Sequence, residues 1–269
     1  MDYQWLDLFK TMGRRIFHEV KKIAGTEEAK QILGKGAGGD VTVFIDKMAE
    51  DIVIEELKRF NVPCMLLSEE IGIRDFGNKL PIVVVDPIDG SLNAKRGIPY
   101  YAFSIALSRT AETGGLTVGY VLNIPTGEEF SAIRGKGALL SDVTESFSKH
   151  IVNESKNFSF AACEGIDRTK DVRMFENIVN HFHRVRIMGS TALDMCYLST
   201  GFFDVFIHSL PSRVVDWSAA GVILKETGGI MIDIKGLEFS LPLNLCKSHP
   251  FFALKSKKDI QKILKIMNV

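Results

Sequence analysis

Apolar residues recur at three- and four-residue steps from Trp5 through Leu8, Phe9, Met12, Ile16, Val20 and Ile23, so residues 2–24 are predicted to form an amphipathic helix that covers a sheet. A glycine-rich loop from Gly34 to Gly39 follows, then the short apolar run Val41 to Ile45. Asp46 is placed as the cap of a second helix carrying Ala49, Ile52, Val53, Leu57 and Phe60. Apolar runs predict strands at 64–67, 80–85, 101–109, 116–123 and 128–133. Thr113-Gly114-Gly115 turns the third of these back on the fourth as a hairpin, so this sheet is at least partly antiparallel.

The second half alternates. A strand near 158–162, a helix over 169–181, a strand at 184–187, a helix at 190–199 and a strand at 202–207 precede a helix at 217–227. Short strands near 230–234 and 251–254 and a helix from Lys257 to Met267 close the chain. This alternation places a second sheet between helices. The polar stretch Ser141 to Lys156 divides the chain into an α+β lobe, 1–145, and an α/β lobe, 146–269, and the junction of two lobes is a common place for a ligand site.

Composition narrows the class without naming a reaction. The 269 residues are 46% hydrophobic and 25% charged, as in an ordinary globular protein, and Lys plus Arg equals Asp plus Glu at 33 each. No net field attracts nucleic acid or an anionic membrane, so any anion specificity is local. Lys21-Lys22 and Lys255 to Lys258 read as solvated faces of terminal helices. Cys64, Cys163, Cys196 and Cys246 are far apart and form no C-x-x-C pair, which argues against a zinc ribbon or a disulfide framework. The start, Met1-Asp2-Tyr3-Gln4-Trp5, lacks a signal-peptide layout and no apolar run has membrane-spanning length, which fits a cytoplasmic protein.

The candidate chemistry is acidic. Val83-Val84-Val85-Asp86-Pro87-Ile88-Asp89-Gly90-Ser91 is a buried strand that Pro87 is expected to stop, placing Asp86 and Asp89 in an exposed turn. Ser68-Glu69-Glu70 follows the apolar run Cys64 to Leu67, and Asp216 follows Val214-Val215 before the predicted helix at Trp217. Two carboxylates about 4 Å apart repel by ~4 kcal/mol at an effective dielectric near 20, so a site gathering them must protonate one or recruit a cation. If the acids converge, their all-oxygen set suits Mg²⁺ or Mn²⁺ rather than zinc. The competing reading of Asp216 is a plain helix cap. Gly34-Lys35-Gly36-Ala37-Gly38-Gly39 contains a G-x-G-x-x-G match but lacks the strand before and helix after that a dinucleotide site needs. It reads better as a loop able to bring Lys35 and Asp40 to the acids.

These segments resemble the Mg²⁺-dependent sugar phosphatases that include inositol monophosphatase and fructose-1,6-bisphosphatase, nearest to the short archaeal members with both activities. The resemblance rests on Ser68-Glu69-Glu70, on Asp86-Pro87-Ile88-Asp89-Gly90-Ser91-Leu92-Asn93, and on Val215-Asp216-Trp217-Ser218-Ala219-Ala220-Gly221 continuing to Gly228-Gly229. Gly39-Asp40-Val41-Thr42 with Asp46, and Arg186-Ile187-Met188-Gly189-Ser190, also match. The resemblance implies an α+β fold, layered as an αβαβα sandwich with two sheets between helix layers, and a homodimer. It assigns one Mg²⁺ to Glu69, Asp86 and the Ile88 carbonyl, a second to Asp86, Asp89 and Asp216, and a third, weaker ion to the loop with Asp40; Mn²⁺ is the alternative metal. Ser91, standing where the family usually has Thr, would orient the attacking water with Asp46 as its partner. Gly90 and Ser91 would offer backbone N–H groups to the phosphate.

For substrate, the resemblance points to Arg186, Gly189, Ser190 and Thr191, with Arg186 able to pair with a second phosphate and Arg213 as a further contact. Inositol-dedicated members carry an acid several residues before the last metal aspartate, and Phe206 to Arg213 contains none. The expectation is therefore a hydrolase of fructose 1,6-bisphosphate and inositol 1-phosphate with a broad or bisphosphate-using pocket. The alternatives are a 3′-phosphoadenosine nucleotide phosphatase and a non-catalytic, metal-dependent regulator.

Overall fold

The computed structural model describes residues 2–39, 41–152, 158–165, 172–246 and 248–267. Helix α1 (Asp2–Ile23) takes up the predicted amphipathic segment and buries Trp5, Phe9, Met12, Ile16 and Val20. A hairpin of β1 (Ile32–Lys35) and β2 (Val41–Val43) leads into α2 (Phe44–Phe60). The first large sheet comprises β3 (Met65–Ser68), β4 (Gly72–Asp75), β5 (Ile82–Asp89), β6 (Ala102–Ser108), β7 (Leu116–Asn123), β8 (Glu128–Ile133), β9 (Ala138–Asp142) and β10 (Ser148–His150). Its spatial order is β10-β9-β8-β7-β6-β5-β3-β4, with β3 and β5 parallel and the other neighbours antiparallel. The short helix α3 (Ser91–Arg96) leaves the end of β5.

The second sheet comprises β11 (Phe160–Glu164), β12 (Arg184–Arg186), β13 (Val205–His208), β14 (Ile230–Asp233) and β15 (Phe251–Leu254), in the order β12-β11-β13-β15-β14. Strands β12, β11 and β13 run parallel, linked by the helices α4 (Val172–His181) and α5 (Thr191–Ser199). Helix α6 (Val214–Glu226) follows β13, and α7 (Ile260–Met267) ends the described chain.

Each central strand feeds two cores because its side chains alternate. Val83 and Val85 pack with α1 and α2, whereas Val84 faces α5 and α6. On the second sheet Phe206 and Ala253 face α5 and α6, while Val205, Ile207 and Phe252 join Ile178 of α4 and Ile263 of α7. The result is five layers, αβαβα, with two sheets between helix layers. Helix α6 is apolar all round because it lies between both sheets, and its close approach depends on Gly119: a Cβ there would sit 2.4 Å from the Ala219 carbonyl.

Several boundaries depart from the sequence expectations. Strand β5 does not stop at Pro87; its register with β6 shifts between Asp86 and Asp89, and this bulge accommodates the proline where a ladder bond is already lost. The two aspartates are therefore buried rather than exposed, at 3% and 8%. Helices α2 and α6 each begin three residues earlier than predicted, so Asp46 and Asp216 occupy the third helical position rather than the cap. Residues 32–35 are strand, not loop, yet a second strand follows the glycines, so no helix opens there. Strands β4 and β10 carry few buried residues and gave no apolar signal. Lys255 is buried against Asp204 instead of solvated.

Candidate active site

Strands β3 and β5 are parallel neighbours with Ser68 opposite Val85, so the residues just past that register, Glu69 and Asp86, emerge side by side. The N-terminus of α6 reaches the same place and contributes Asp216. Carboxylate oxygens of Glu69, Asp86 and Asp216 lie within 4.8 Å of one another. Asp216 Oδ2 accepts from the Arg213 N–H at 3.0 Å and so closes the first helical turn, while its Oδ1 lies 3.2 Å from Arg213 Nε.

Asp89, three residues past Asp86 across the bulge, turns toward the second half of the chain. Its Oδ2 accepts from Ser190 Oγ at 2.6 Å and from the Ala192 N–H at 2.7 Å, at the start of α5. The Ile88 carbonyl accepts from Ser91 Oγ at 2.9 Å, and the same hydroxyl lies 2.9 Å from Asp46 Oδ1. Gly90 makes this compact turn possible: its φ is 91°, and a Cβ would sit 2.8 Å from the Gly189 carbonyl. Asn93 ties the two halves together by donating to the Tyr100 and Met188 carbonyls at 2.8 and 2.7 Å.

Around these groups opens a cleft of about 380 Å³ lined by Val41, Asp46, Glu69, Glu70, Asp86, Ile88, Asp89, Gly90, Ser91, Leu92, Lys95, Glu164, Gly189, Thr191, Arg213 and Asp216. The glycine loop closes one rim: the Ala37 and Gly38 N–H groups donate to the Glu70 and Glu69 carbonyls at 2.7 and 2.8 Å, and Thr42 Oγ1 holds the Glu70 carboxylate. Asp40 lies outside the described residues. Ser190 is behind the cleft, on Asp89. Arg186 does not line the cleft; its guanidinium lies over the Phe160 ring at 5.4 Å and donates to the Val185 carbonyl.

Arg213 is embedded in the acids rather than displayed for a substrate. Its Nη1 lies 2.7 Å from Glu69 Oε1 and its Nε 3.2 Å from Asp216 Oδ1. One guanidinium does not neutralise the group. Burial first, and then the charge of Asp216, push Glu69 up to about 8 against the opposing pull of Arg213. Burial and the charge of Glu69 hold Asp86 well above the carboxylate range. Burial likewise lifts Asp89 to about 7 against its bonds to Ser190 and Ala192, and Asp46 to about 7 against its bond to Ser91. Buried oxygen donors that resist ionising alone and share one point fit a hard divalent cation.

Residues 4–261 match the inositol monophosphatase family. The chain belongs to that family. It is accordingly a phosphomonoester hydrolase, and the fold agrees: a solved inositol monophosphatase–fructose 1,6-bisphosphatase, the MJ0109 gene product, superposes with a TM-score of 0.84 over 97% of this chain and 99% of its own, at 28% identity. A fructose-1,6-bisphosphatase/inositol-1-monophosphatase of Methanothermobacter thermautotrophicus is 31% identical over 99% of this chain and 98% of its own length. A bifunctional NADP phosphatase/NAD kinase of Methanococcus maripaludis is 34% identical over 89% of this chain, which spans 45% of that longer protein. No helix among the described residues is long and apolar enough to cross a membrane.

Two lining residues were missed by sequence reasoning. Lys95 follows Ser91 by one helical turn on α3, a spacing that places both on one face. Glu164 sits in no motif; only its place at the end of a predicted strand marked it.

Proposed function

We propose that this phosphatase is Mg²⁺-dependent and hydrolyses fructose 1,6-bisphosphate and inositol 1-phosphate. The observation that carries the reading is the convergence of Glu69, Asp86 and Asp216 within 4.8 Å beside the Ser91–Asp46 pair in one cleft. Glu69, Asp86 and the Ile88 carbonyl would hold one ion, and Asp86, Asp89 and Asp216 a second. Ions bound there supply an activated water and neutralise charge on the leaving oxygen.

The chain's own residues do the positioning. A serine hydroxyl has one proton, so when Ser91 donates to Asp46 its oxygen remains an acceptor able to orient a water proton. Asp46, whose own carboxyl is raised to about 7 by burial, accepts the Ser91 hydrogen bond when it is ionised and so fixes which way the hydroxyl points. Gly90 and Ser91 bring backbone N–H groups to the phosphate, and Ser190 and Ala192 fix the rotamer of Asp89. Lys95, half-buried on the cleft wall, is the cation available to a second phosphate, a part the sequence reading gave to Arg186.

Initial rates of phosphate release with Mg²⁺ and with EDTA test the reading, across fructose 1,6-bisphosphate, inositol 1-phosphate, NADP and 3′-phosphoadenosine nucleotides. Mg²⁺-dependent release from the first two supports it. The NADP phosphatase relative favours a second reading, a nucleotide 2′-phosphatase, which a higher kcat/KM on NADP would establish in place of the first.

A further inference from the structure

Glu164 is an acid in an anion-binding cleft that the metal group does not use. It ends β11, the middle strand of the parallel trio β12-β11-β13, and the space beyond the carboxyl ends of such strands is where α/β sheets place ligands. In register it stands opposite His208 of β13. It therefore brings a carboxylate to the same end of the sheet as the acid-free segment Phe206 to Arg213, from a different strand.

Its orientation is fixed by backbone. The Gly189 N–H donates to Glu164 Oε1 at 2.5 Å, and Met188 and Gly165 also bond to the carboxylate through their backbones. A carboxylate has about four acceptor sites, so capacity remains after these bonds. No lysine, arginine or histidine among the described residues pairs with it. A carboxylate with no cation beside it repels a phosphate but accepts readily from a hydroxyl, so the part of a substrate it suits is one that donates hydrogen bonds. Gly189 and Thr191 line the cleft with it, and its charge is felt by Asp89, so it lies on the Asp89 side of the cleft.

We propose that Glu164 accepts a hydrogen bond from a substrate hydroxyl and so selects phosphate esters that carry a hydroxyl on the carbon next to the esterified one. The proposal rests on the phosphatase reading above and deepens it. Inositol 1-phosphate, fructose 1,6-bisphosphate and the 2′-phosphate of NADP differ in ring and charge, yet all share that feature. The class is therefore wider than any one sugar and narrower than phosphomonoesters in general.

Glycerol 2-phosphate and propan-2-yl phosphate test it, since they have the same carbon skeleton and phosphate and differ only in the neighbouring hydroxyls. The readout is the ratio of their kcat/KM values with Mg²⁺, with KM and kcat separated. Wild type should favour glycerol 2-phosphate by at least about tenfold, the worth of one charge-assisted hydrogen bond, and Glu164→Ala should bring the ratio close to one, mainly through KM. Glu164→Gln keeps an oxygen for the Gly189 N–H and should fall between, with wild-type melting behaviour. An unchanged ratio in Glu164→Ala, or equal losses on both esters in Glu164→Gln, would overturn the proposal and leave Glu164 as a brace for the Gly189 turn. Release from inositol 1-phosphate but from neither small ester by wild type would overturn the proposal alone, because a neighbouring hydroxyl would then not suffice; no release from inositol 1-phosphate, fructose 1,6-bisphosphate or NADP would overturn the substrate reading on which it rests.

Discussion

Removing divalent cations should leave the protein less stable at neutral pH than in mild acid, and Mg²⁺ should erase most of the difference. Asp46 and Asp89 are raised to about 7 and Glu69 to about 8, all above their ordinary values, chiefly by burial. In the unfolded chain these carboxyls lose their protons near pH 4. Between that value and about 7 the folded state therefore holds protons that the unfolded state has lost, and stability falls as pH rises. The contribution is complete below the unfolded pKa and gone above the folded one. Each retained proton is worth about 1.4 kcal/mol per pH unit. If the cluster holds only one such proton, the loss from about pH 5.5 to about pH 7 is ~2 kcal/mol, or roughly 4–8 °C in Tm for a chain of this size. Cations bind the ionised form, so the stabilisation by Mg²⁺ should grow over the same interval. Melting curves in EDTA and in saturating Mg²⁺ across this range make the comparison, with Asp86→Asn as the control that should flatten the EDTA slope. A metal-free Tm that stays level or rises from mild acid to neutrality, or a fall that Mg²⁺ does not reduce, would refute the electrostatic account of the cleft.

Asp86→Asn and Asp216→Asn should each abolish phosphate release while preserving the melting transition; activity within about tenfold of wild type at saturating Mg²⁺ would remove the substituted residue from the ligand set. Ser91→Ala should lower kcat by about 10² to 10⁴ with little change in KM, and Ser91→Thr, which keeps the hydroxyl, should remain active; full kcat in the alanine variant would mean that another group positions the water. Lys95→Ala should reduce kcat/KM for fructose 1,6-bisphosphate about tenfold more than for inositol 1-phosphate, whereas Arg186→Ala, outside the cleft, should discriminate less than about twofold; the opposite order would place the second phosphate near β12.

Helices and strands with one clean periodicity were legible in the sequence. The stripe of α1, the runs of β3, β5, β7 and β8, and the alternation from β11 to α6 are local patterns that report which face is buried. Layering adds what local pattern cannot express. Val83-Val84-Val85 reads as a continuous apolar run because its alternate faces serve different cores, and α6 has no polar face because it has no solvent face. Ends were misplaced where a side chain caps from inside the helix. Asp46 and Asp216 bond back to the Val43 and Arg213 N–H groups from the third helical position, which in a sequence looks the same as a cap.

The acids of the site were legible for a different reason: each sits beside a backbone feature that sequence records, a proline bulge for Asp86 and Asp89, a strand end for Glu69, and a helix start for Asp216. What the sequence did not show is which charges face one another. Arg213 lies three residues from Asp216 but 144 from Glu69, and only the register of β3 with β5 and the seating of α6 between two sheets turn it into a counter-ion for both. Glu164, which no motif marked, enters the cleft, and Arg186, expected there, stays outside it, for the same reason. Both belong to the parallel trio, but Glu164 closes β11 at the cleft, whereas Arg186 ends the edge strand β12 with its guanidinium over Phe160, back across the sheet. Charge type alone favoured the arginine as the residue that meets a phosphorylated substrate. Strand order favours the glutamate, and because a carboxylate without a cation beside it can meet such a substrate only at a hydrogen-bond donor, strand order on our proposal also decides which part of the substrate is read.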